Sequence, residues 1–161
     1  MLIYSQNAAG IRDIKYGKSN LGKSGCACIA AYNVLEMLGR GMPLADVIAC
    51  FEGRFSKGGG LMAKGRLGAT PADVSTFLRD RGLKPQGGSL RKMQAIKAAG
   101  VFVITYWNKP FTKGAHTIAV RFDGNRYTAV NYTSRPCTKD ALEEFLPDKV
   151  HYIYGYYIPR E

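Results

Sequence analysis

Residues 17–26 carry two patterns that would place different chemistry at one helix start. Gly17 to Ser24 spells G-x-x-x-x-G-K-S, the pattern of a loop that cradles nucleotide phosphates. Cys26 follows two residues later and opens an apolar run that is typical of a buried helix. A thiol in the first turn of a helix is stabilised as thiolate by unpaired N–H groups and the helix dipole. Because both interpretations need the same helix N-terminus, they exclude each other.

The residues around the phosphate-loop pattern do not suit nucleotide binding. Such a loop must follow a buried strand, yet the preceding "IRDIKY" contains Arg12, Asp13 and Lys15. The apolar run "VFVIT" ends in Thr105 and not in an Asp that would help to hold magnesium. We therefore keep a P-loop nucleotide-binding protein only as the alternative function.

A nucleophilic thiol needs a base, a group that orients the base, and donors for an oxyanion. The chain has two histidines, His116 and His151. His116 begins a predicted strand directly after "NKPFTKGA", whereas His151 lies in a Tyr-rich strand and is interpreted as structural. The sequence therefore predicts His116 as the base for Cys26.

A predicted hairpin supplies the orienting group. "AHTIAVRFDGNRYTAVNYTS" contains two alternating runs joined by Asp123 and Gly124, a favoured tight-turn pair. A two-residue turn there places Asn131 opposite His116, where its amide oxygen accepts the imidazole N–H. A turn one residue later places Thr133 opposite His116 and leaves Asn131 diagonal on the same face. Both registers bring Asn131 near the base.

Length, charge and cysteine usage bound the remaining possibilities. The 161 residues suit one domain spanning 1–161, with no signal peptide and no membrane span. A net charge of +11 is compatible with an acidic partner, but no basic run marks a nucleic-acid arm. The Gly- and Lys-rich segment 53–68 is predicted to be a mobile connecting loop. The four cysteines lack the spacing of a disulfide scaffold, which favours reduced thiols in the cytoplasm.

No metal or cofactor is predicted. Two histidines and three of the cysteines contain donors for zinc, but no C-x-x-C or close His pair is present. The donors concerned are Cys26, Cys28, His116, Cys137 and His151.

Hydrophobic periodicity and cap residues predict helices first and strands afterwards. The predicted helices cover 26–39, 42–53, 70–82, 89–100 and 139–148. The predicted strands cover 101–107, the two arms of the hairpin in 115–134, and 150–158. Because strands do not alternate with helices, this order predicts an α+β fold with an antiparallel sheet.

Three segments resemble the papain-like cysteine peptidases, most closely the compact branch with the double-glycine leader peptidases of bacteriocin exporters. The segments are "NLGKSGCACIAAYNVLEMLG", "GATPADVSTFLRDRGLKP" and "GAHTIAVRFDGNRYTAVNY", which lie between about residues 16 and 135 in the family's order of Cys, His, then Asn or Asp. The resemblance implies a papain-like α+β fold, Cys26 as nucleophile, His116 as general base and then acid, and Asn131 as the orienting residue.

The chain departs from that family at three positions. The family places an oxyanion-hole amide, usually Gln, six residues before the cysteine; here that residue is Asn20, with Gln6 as a possible substitute. Asn131 stands where the leader peptidases generally have Asp. Cys28 competes with Cys26 for the role of nucleophile, and Gly25 and the spacing from Asn20 favour Cys26.

These observations predict a papain-like cysteine peptidase that hydrolyses an amide through a thioester; deamidation and acyl transfer to an amine use the same residues and stay open as variants. We expect a peptide or protein substrate, for which the basic charge favours acidic character. Besides the P-loop protein, a catalytically inactive papain-like module that binds an acidic partner remains an alternative. The expected location is the cytoplasm, or outside the cell as an effector exported without a signal peptide.

Overall fold

The structure of the chain is a computed structural model. It describes residues 1–53, 66, 68–84, 86–88, 100–108, 110, 114–146 and 151–156. Residues 89–99 of the predicted helix 89–100 and most of the basic segment 53–68 lie outside the described residues.

The described helices precede most of the strands. The helices are α1 (Leu21–Ser24), α2 (Cys26–Met37), α3 (Leu44–Gly53) and α4 (Pro71–Arg79). The strands are β1 (Lys15–Tyr16), β2 (Ser19–Asn20), β3 (Gln86–Gly88), β4 (Val101–Trp107), β5 (Ala115–Phe122), β6 (Tyr127–Val130), β7 (Cys137–Lys139) and β8 (His151–Tyr156). A 3-10 turn covers Leu142–Phe145.

Six strands form an antiparallel sheet in the order β3-β8-β4-β5-β6-β7, and β1 pairs with β2 in a separate hairpin. Helices combined with this sheet confirm the predicted α+β class. Strands β4 and β5 lie at its centre and pair from Val101 opposite Arg121 to Trp107 opposite Ala115. Within the described residues, no helix is both long and apolar enough to cross a bilayer.

Alternate residues of the central strands enter two different cores, as the two-residue period of a strand requires. Val101, Val103 and Ala119 pack with α2, α3 and α4 in the first core. Their neighbours Phe102 and Ile118 pack in the second core, against the 3-10 turn. The sheet is therefore covered on both faces, and α2 contacts β5 and β4 directly.

The predictions for α2, α4 and β4 are confirmed. Helix α2 begins at Cys26 and ends before Gly39, which has a φ of 68°. Thr70 and Asp73 form the capping box that starts α4, and Pro71 occupies its first turn. The strand predicted over 101–107 is β4.

The helix predicted over 139–148 is wrong. Residues 137–139 form β7, and only Leu142–Phe145 are helical, as a 3-10 turn. Leu142 and Phe145 lie three residues apart and are both fully buried in the second core. Leu146 is extended, with φ −98° and ψ 113°, because the following Pro147 disfavours helical backbone at that position.

The hairpin takes the second of the two registers. Phe122 pairs with Tyr127 and Arg121 with Thr128, so a turn at Asp123 and Gly124 is wrong and the turn lies one residue later. The Asp123 carboxylate determines this register because it accepts the N–H groups of both Asn125 and Arg126, each at 2.8 Å.

Candidate active site

A tight junction between α1 and α2 places Cys26 at a helix start. Gly25 joins the two helices, donating its N–H to Leu21 O and accepting the Ile29 N–H, both at 2.9 Å. A Cβ on Gly25 would lie 2.6 Å from Leu21 Cδ2 and 2.7 Å from Leu21 Cα, so the junction requires glycine. Cys26 is therefore the first residue of α2, where N–H groups have no partner within the helix.

His116 lies on β5, where it contacts the neighbouring strand β4 and the residue that follows β6. It lies opposite Tyr106, and the two rings meet edge to face with their centroids 5.8 Å apart. His116 Nε2 lies 2.5 Å from Asn131 O. Because a carbonyl oxygen can only accept, Nε2 carries the proton, which leaves Nδ1 as the ring nitrogen that can act as a base.

Cys26 and His116 line the same cavity, and their interaction favours thiolate and imidazolium. Burial raises the pKa of the Cys26 thiol, but the hydrogen bond and charge of His116, with hydrogen bonds to Thr117, together lower it below its ordinary value. Burial lowers the pKa of His116, but its interactions with Cys26 and Asn131 raise it above the ordinary value. Each partner therefore stabilises the charged form of the other.

Asn131 reaches His116, but with its backbone carbonyl instead of its side-chain amide. This corrects the expected contact, and the cause is the end of β6 at Val130. Asn131 then turns into the left-handed region with a φ of 60°, the only positive φ among the described non-glycine residues. Its Oδ1 accepts the Gln6 N–H at 2.7 Å and its Nδ2 donates to Gln6 Oε1 at 3.1 Å.

Gln6 lines the site, and the structure does not bring Asn20 there. Asn20 is the N-cap of α1, where its Oδ1 accepts the Lys23 N–H at 3.0 Å. Gln6 lines a cavity together with Cys26, His116 and Asn131, and its Nε2 donates to Gly22 O at 2.9 Å. Of the two amides that the sequence suggested for an oxyanion hole, only Gln6 lines the cavity that holds Cys26.

The cavity has a volume of about 470 Å³ and a polar lining. Lys23 and His116 are the basic groups among its described lining residues, and no carboxylate lines it there. Ser5, Asn7, Asn108, Thr133 and Ser134 contribute neutral polar groups. The thiol therefore lies in a cleft that is suited to amide groups and negative charge.

The Gly17–Ser24 segment does not have the geometry of a phosphate loop. Gly17 lies in the tight turn between β1 and β2, with a φ of 58°, and α1 follows directly. The Gly17 N–H donates to the Glu52 carboxylate at 2.6 Å, so a carboxylate already occupies a donor that a nucleotide would need. The segment serves as the support on which α2 begins.

Cys28 is not a competing nucleophile in this structure. It is fully buried, and burial, followed by the negative charge of Glu52, raises its pKa well above its usual range. Among the described residues, no three His, Cys, Asp or Glu side chains come together as a metal site would require.

Sequence reasoning missed Thr117 and left the place of Gln6 open. Thr117 is buried beside His116, bonds Thr105 Oγ1 at 3.0 Å through its own Oγ1, and helps to lower the pKa of Cys26. Gln6 meets Asn131 across 125 residues of sequence, so no local pattern locates it.

Comparison of the chain with models of protein families and with curated proteins gave no match.

Proposed function

We propose that this chain is a papain-like cysteine peptidase that cleaves an amide bond through a thioester intermediate. The observation that carries the proposal is that Cys26, at a helix start, and His116, held by the Asn131 carbonyl, line the same open cleft. Nucleophile, base and orienting group are three of the four parts that covalent catalysis at a carbonyl requires, and donors for the oxyanion are the fourth.

The geometry supports a definite sequence of bond changes. The Cys26 thiolate attacks the substrate carbonyl carbon, and the oxygen becomes an oxyanion near the N–H groups at the start of α2 and the Gln6 amide. His116 donates its Nδ1 proton to the leaving nitrogen as the C–N bond breaks and the thioester forms. Water then attacks the thioester, His116 accepts the proton, and the C–S bond breaks to restore the thiolate.

The Asn131 carbonyl has a defined part in both steps. It accepts a hydrogen bond from Nε2–H in both steps. The neutral ring therefore always exposes the basic Nδ1 toward the thiol and the substrate. The same groups would transfer the acyl group to an amine in place of water, so hydrolysis and transfer share one mechanism up to the thioester.

The cleft supports a peptide substrate with neutral polar or acidic side chains beside the scissile bond. Lys23 supplies a positive charge, and the described lining holds no carboxylate to oppose a negative one. Substrate charge would therefore affect binding more than the chemical step.

The first test is the pH dependence of iodoacetamide alkylation, with each modified cysteine located by mass spectrometry. We expect Cys26 to react fastest and to stay reactive well below the roughly 8.5 pKa of an ordinary thiol, with that advantage lost in His116→Ala. Cys50 and Cys137 serve as internal controls because both are partly exposed. If Cys26 reacts no faster than these two at any pH, the proposed function is wrong.

A second test looks for the cleavage itself. A peptide library made from digested cell extract is incubated with the native chain and with Cys26→Ala, and new termini are identified by mass spectrometry. Termini produced by the native chain alone would support peptide hydrolysis and show which side chains the cleft accepts.

A further inference from the structure

We infer that Gln6 is a positioning residue, which holds Asn131 in the left-handed conformation that turns its backbone carbonyl toward His116. This inference rests on the proposed function and assigns a role to the N-terminal segment that precedes the first strand.

The polar groups of Asn131 are all engaged, and three of the four contacts come from the N-terminal segment. Its N–H donates to Tyr4 O at 3.0 Å, its Oδ1 accepts from Gln6 N at 2.7 Å, and its Nδ2 donates to Gln6 Oε1 at 3.1 Å. The fourth group, the carbonyl, accepts from His116. Asn131 is 4% exposed, so none of these bonds is easily replaced by water.

The conformation of Asn131 needs such support. A left-handed φ is unfavourable for a residue with a Cβ, although Asn tolerates it better than most because its short amide bonds locally. The carbonyl points at His116 only while this conformation holds. The Gln6 contacts therefore fix the direction of a backbone group as well as a side chain.

Gln6 also connects the two halves of the site. Its Nε2 bonds Gly22 O in α1, four residues before Cys26, while its Oε1 bonds Asn131. The Gln6 amide thus spans from the element that supports the nucleophile to the residue that orients the base. Reversing that amide would place Oε1 against Gly22 O and Nε2 against the Asn131 amide nitrogen, so one orientation is fixed.

Iodoacetamide separates positioning from oxyanion stabilisation. In alkylation the thiolate sulfur bonds the reagent's methylene carbon and iodide leaves with the bonding electron pair, so no oxyanion forms. Loss of an oxyanion donor therefore leaves the alkylation profile unchanged. Loss of the Cys26–His116 alignment raises the pH at which Cys26 becomes reactive.

The experiment measures Cys26 alkylation against pH in Gln6→Ala and in Gln6→Met, which keeps the length of the side chain without its hydrogen bonds. We expect the pH at which Cys26 becomes reactive to rise by about one unit in both variants. Below that pH, the fraction of thiolate is then about tenfold smaller than in the native chain. Asn125→Ala is the matched control, since Asn125 is an exposed amide in the β5–β6 turn. Native circular dichroism spectra establish that the variants are folded.

A second pair of variants tests the backbone part of the inference. Asn131→Gly and Asn131→Ala both lack the amide, but glycine adopts a left-handed φ without strain. We expect the Gly variant to retain about fivefold more Cys26 reactivity at acidic pH than the Ala variant. Equal reactivity of the two would overturn the inference.

The outcomes separate this inference from the proposed function. An ordinary alkylation profile for Cys26 in the native chain contradicts the proposed function itself. If Cys26 of the native chain reacts at unusually low pH and both Gln6 variants show the same alkylation profile, only the positioning role is contradicted. A shift in both Gln6 variants, with the Asn125→Ala profile unchanged, supports it.

Discussion

Asn33 offers the sharpest test of how the N-terminal segment is attached. It is fully buried on α2, where its Oδ1 accepts the Ile3 N–H and its Nδ2 donates to Ile3 O, both at 2.8 Å. Ile3 is itself 8% exposed, so water has little access to either backbone group. Leucine has the same number and branching of side-chain heavy atoms as asparagine but no polar atoms, so Asn33→Leu removes both bonds without opening a cavity.

The cost follows from the two backbone groups that lose their partners. A buried donor or acceptor left unsatisfied costs about 1–3 kcal/mol, so two of them lower the free energy of unfolding by about 2–6 kcal/mol. If the segment detaches and hydrates instead, the loss is smaller and equals the free energy that docks residues 1–6. We therefore expect a loss of about 3 kcal/mol for Asn33→Leu.

Urea unfolding followed by far-ultraviolet circular dichroism measures this loss. Asn125→Leu makes the same chemical change at an exposed turn and should stay within about 0.5 kcal/mol of the native chain. Cys26 alkylation in Asn33→Leu should move to higher pH, because the next residues along the segment include Gln6. A loss below about 1 kcal/mol with an unchanged denaturant slope would refute the reasoning.

Three further predictions concern the site. Cys28→Ala should lower stability by about 1 kcal/mol, through lost packing in the first core, and leave the Cys26 alkylation profile unchanged; a changed profile would mean that the thiols are coupled. Gly25→Ala should cost about 1–3 kcal/mol in thermal unfolding and slow Cys26 alkylation, because its Cβ overlaps Leu21; a native profile and melting temperature would contradict the tight junction. On a cleaved peptide, kcat/KM should fall as pH drops through the lowered pKa of Cys26, because the thiolate becomes protonated. It should also fall as pH rises through the raised pKa of His116, because the proton for the leaving nitrogen is lost. A rate that still increases above the ordinary thiol pKa would exclude the ion pair.

The features that sequence predicts well are those encoded by neighbouring residues. The start of α2 at Cys26 follows from an apolar periodicity, and the start of α4 from the Thr70 and Asp73 capping box. Strand β4 follows from a β-branched and aromatic run. In each case local preference and burial favour the same structure, so little is left for distant contacts to decide.

Asn20 shows how a spacing rule fails when local backbone chemistry competes for the same side chain. Asparagine is among the best N-cap residues, and Asn20 stands directly before α1 with the Lys23 N–H within reach. That hydrogen bond satisfies a helix-end donor and turns the amide away from the cleft. Knowing that α1 existed would have revealed the conflict, but a four-residue helix leaves no periodic signal.

Gln6 and the carbonyl of Asn131 were beyond sequence reasoning for a different reason. The contact between Gln6 and the Asn131 side chain joins positions 125 residues apart, and the orientation of Asn131 depends on where β6 stops. The hairpin register fixes that point, and the Asp123 carboxylate decides the register by one residue. Asn131 was correctly expected near His116. Whether its side-chain oxygen or its backbone oxygen bonds the ring depends on tertiary contacts.

The contacts of α2 tie the stability of the N-terminal segment to the chemistry of the site. Its first residue is Cys26, and Asn33, two turns later, holds Ile3. The chain from Ile3 to Gln6 then holds Asn131, whose carbonyl orients His116 toward Cys26. This chain of contacts begins and ends on α2. A substitution that breaks any one of them therefore alters both the docking of the N-terminal segment and the alignment of the Cys26 thiol with His116.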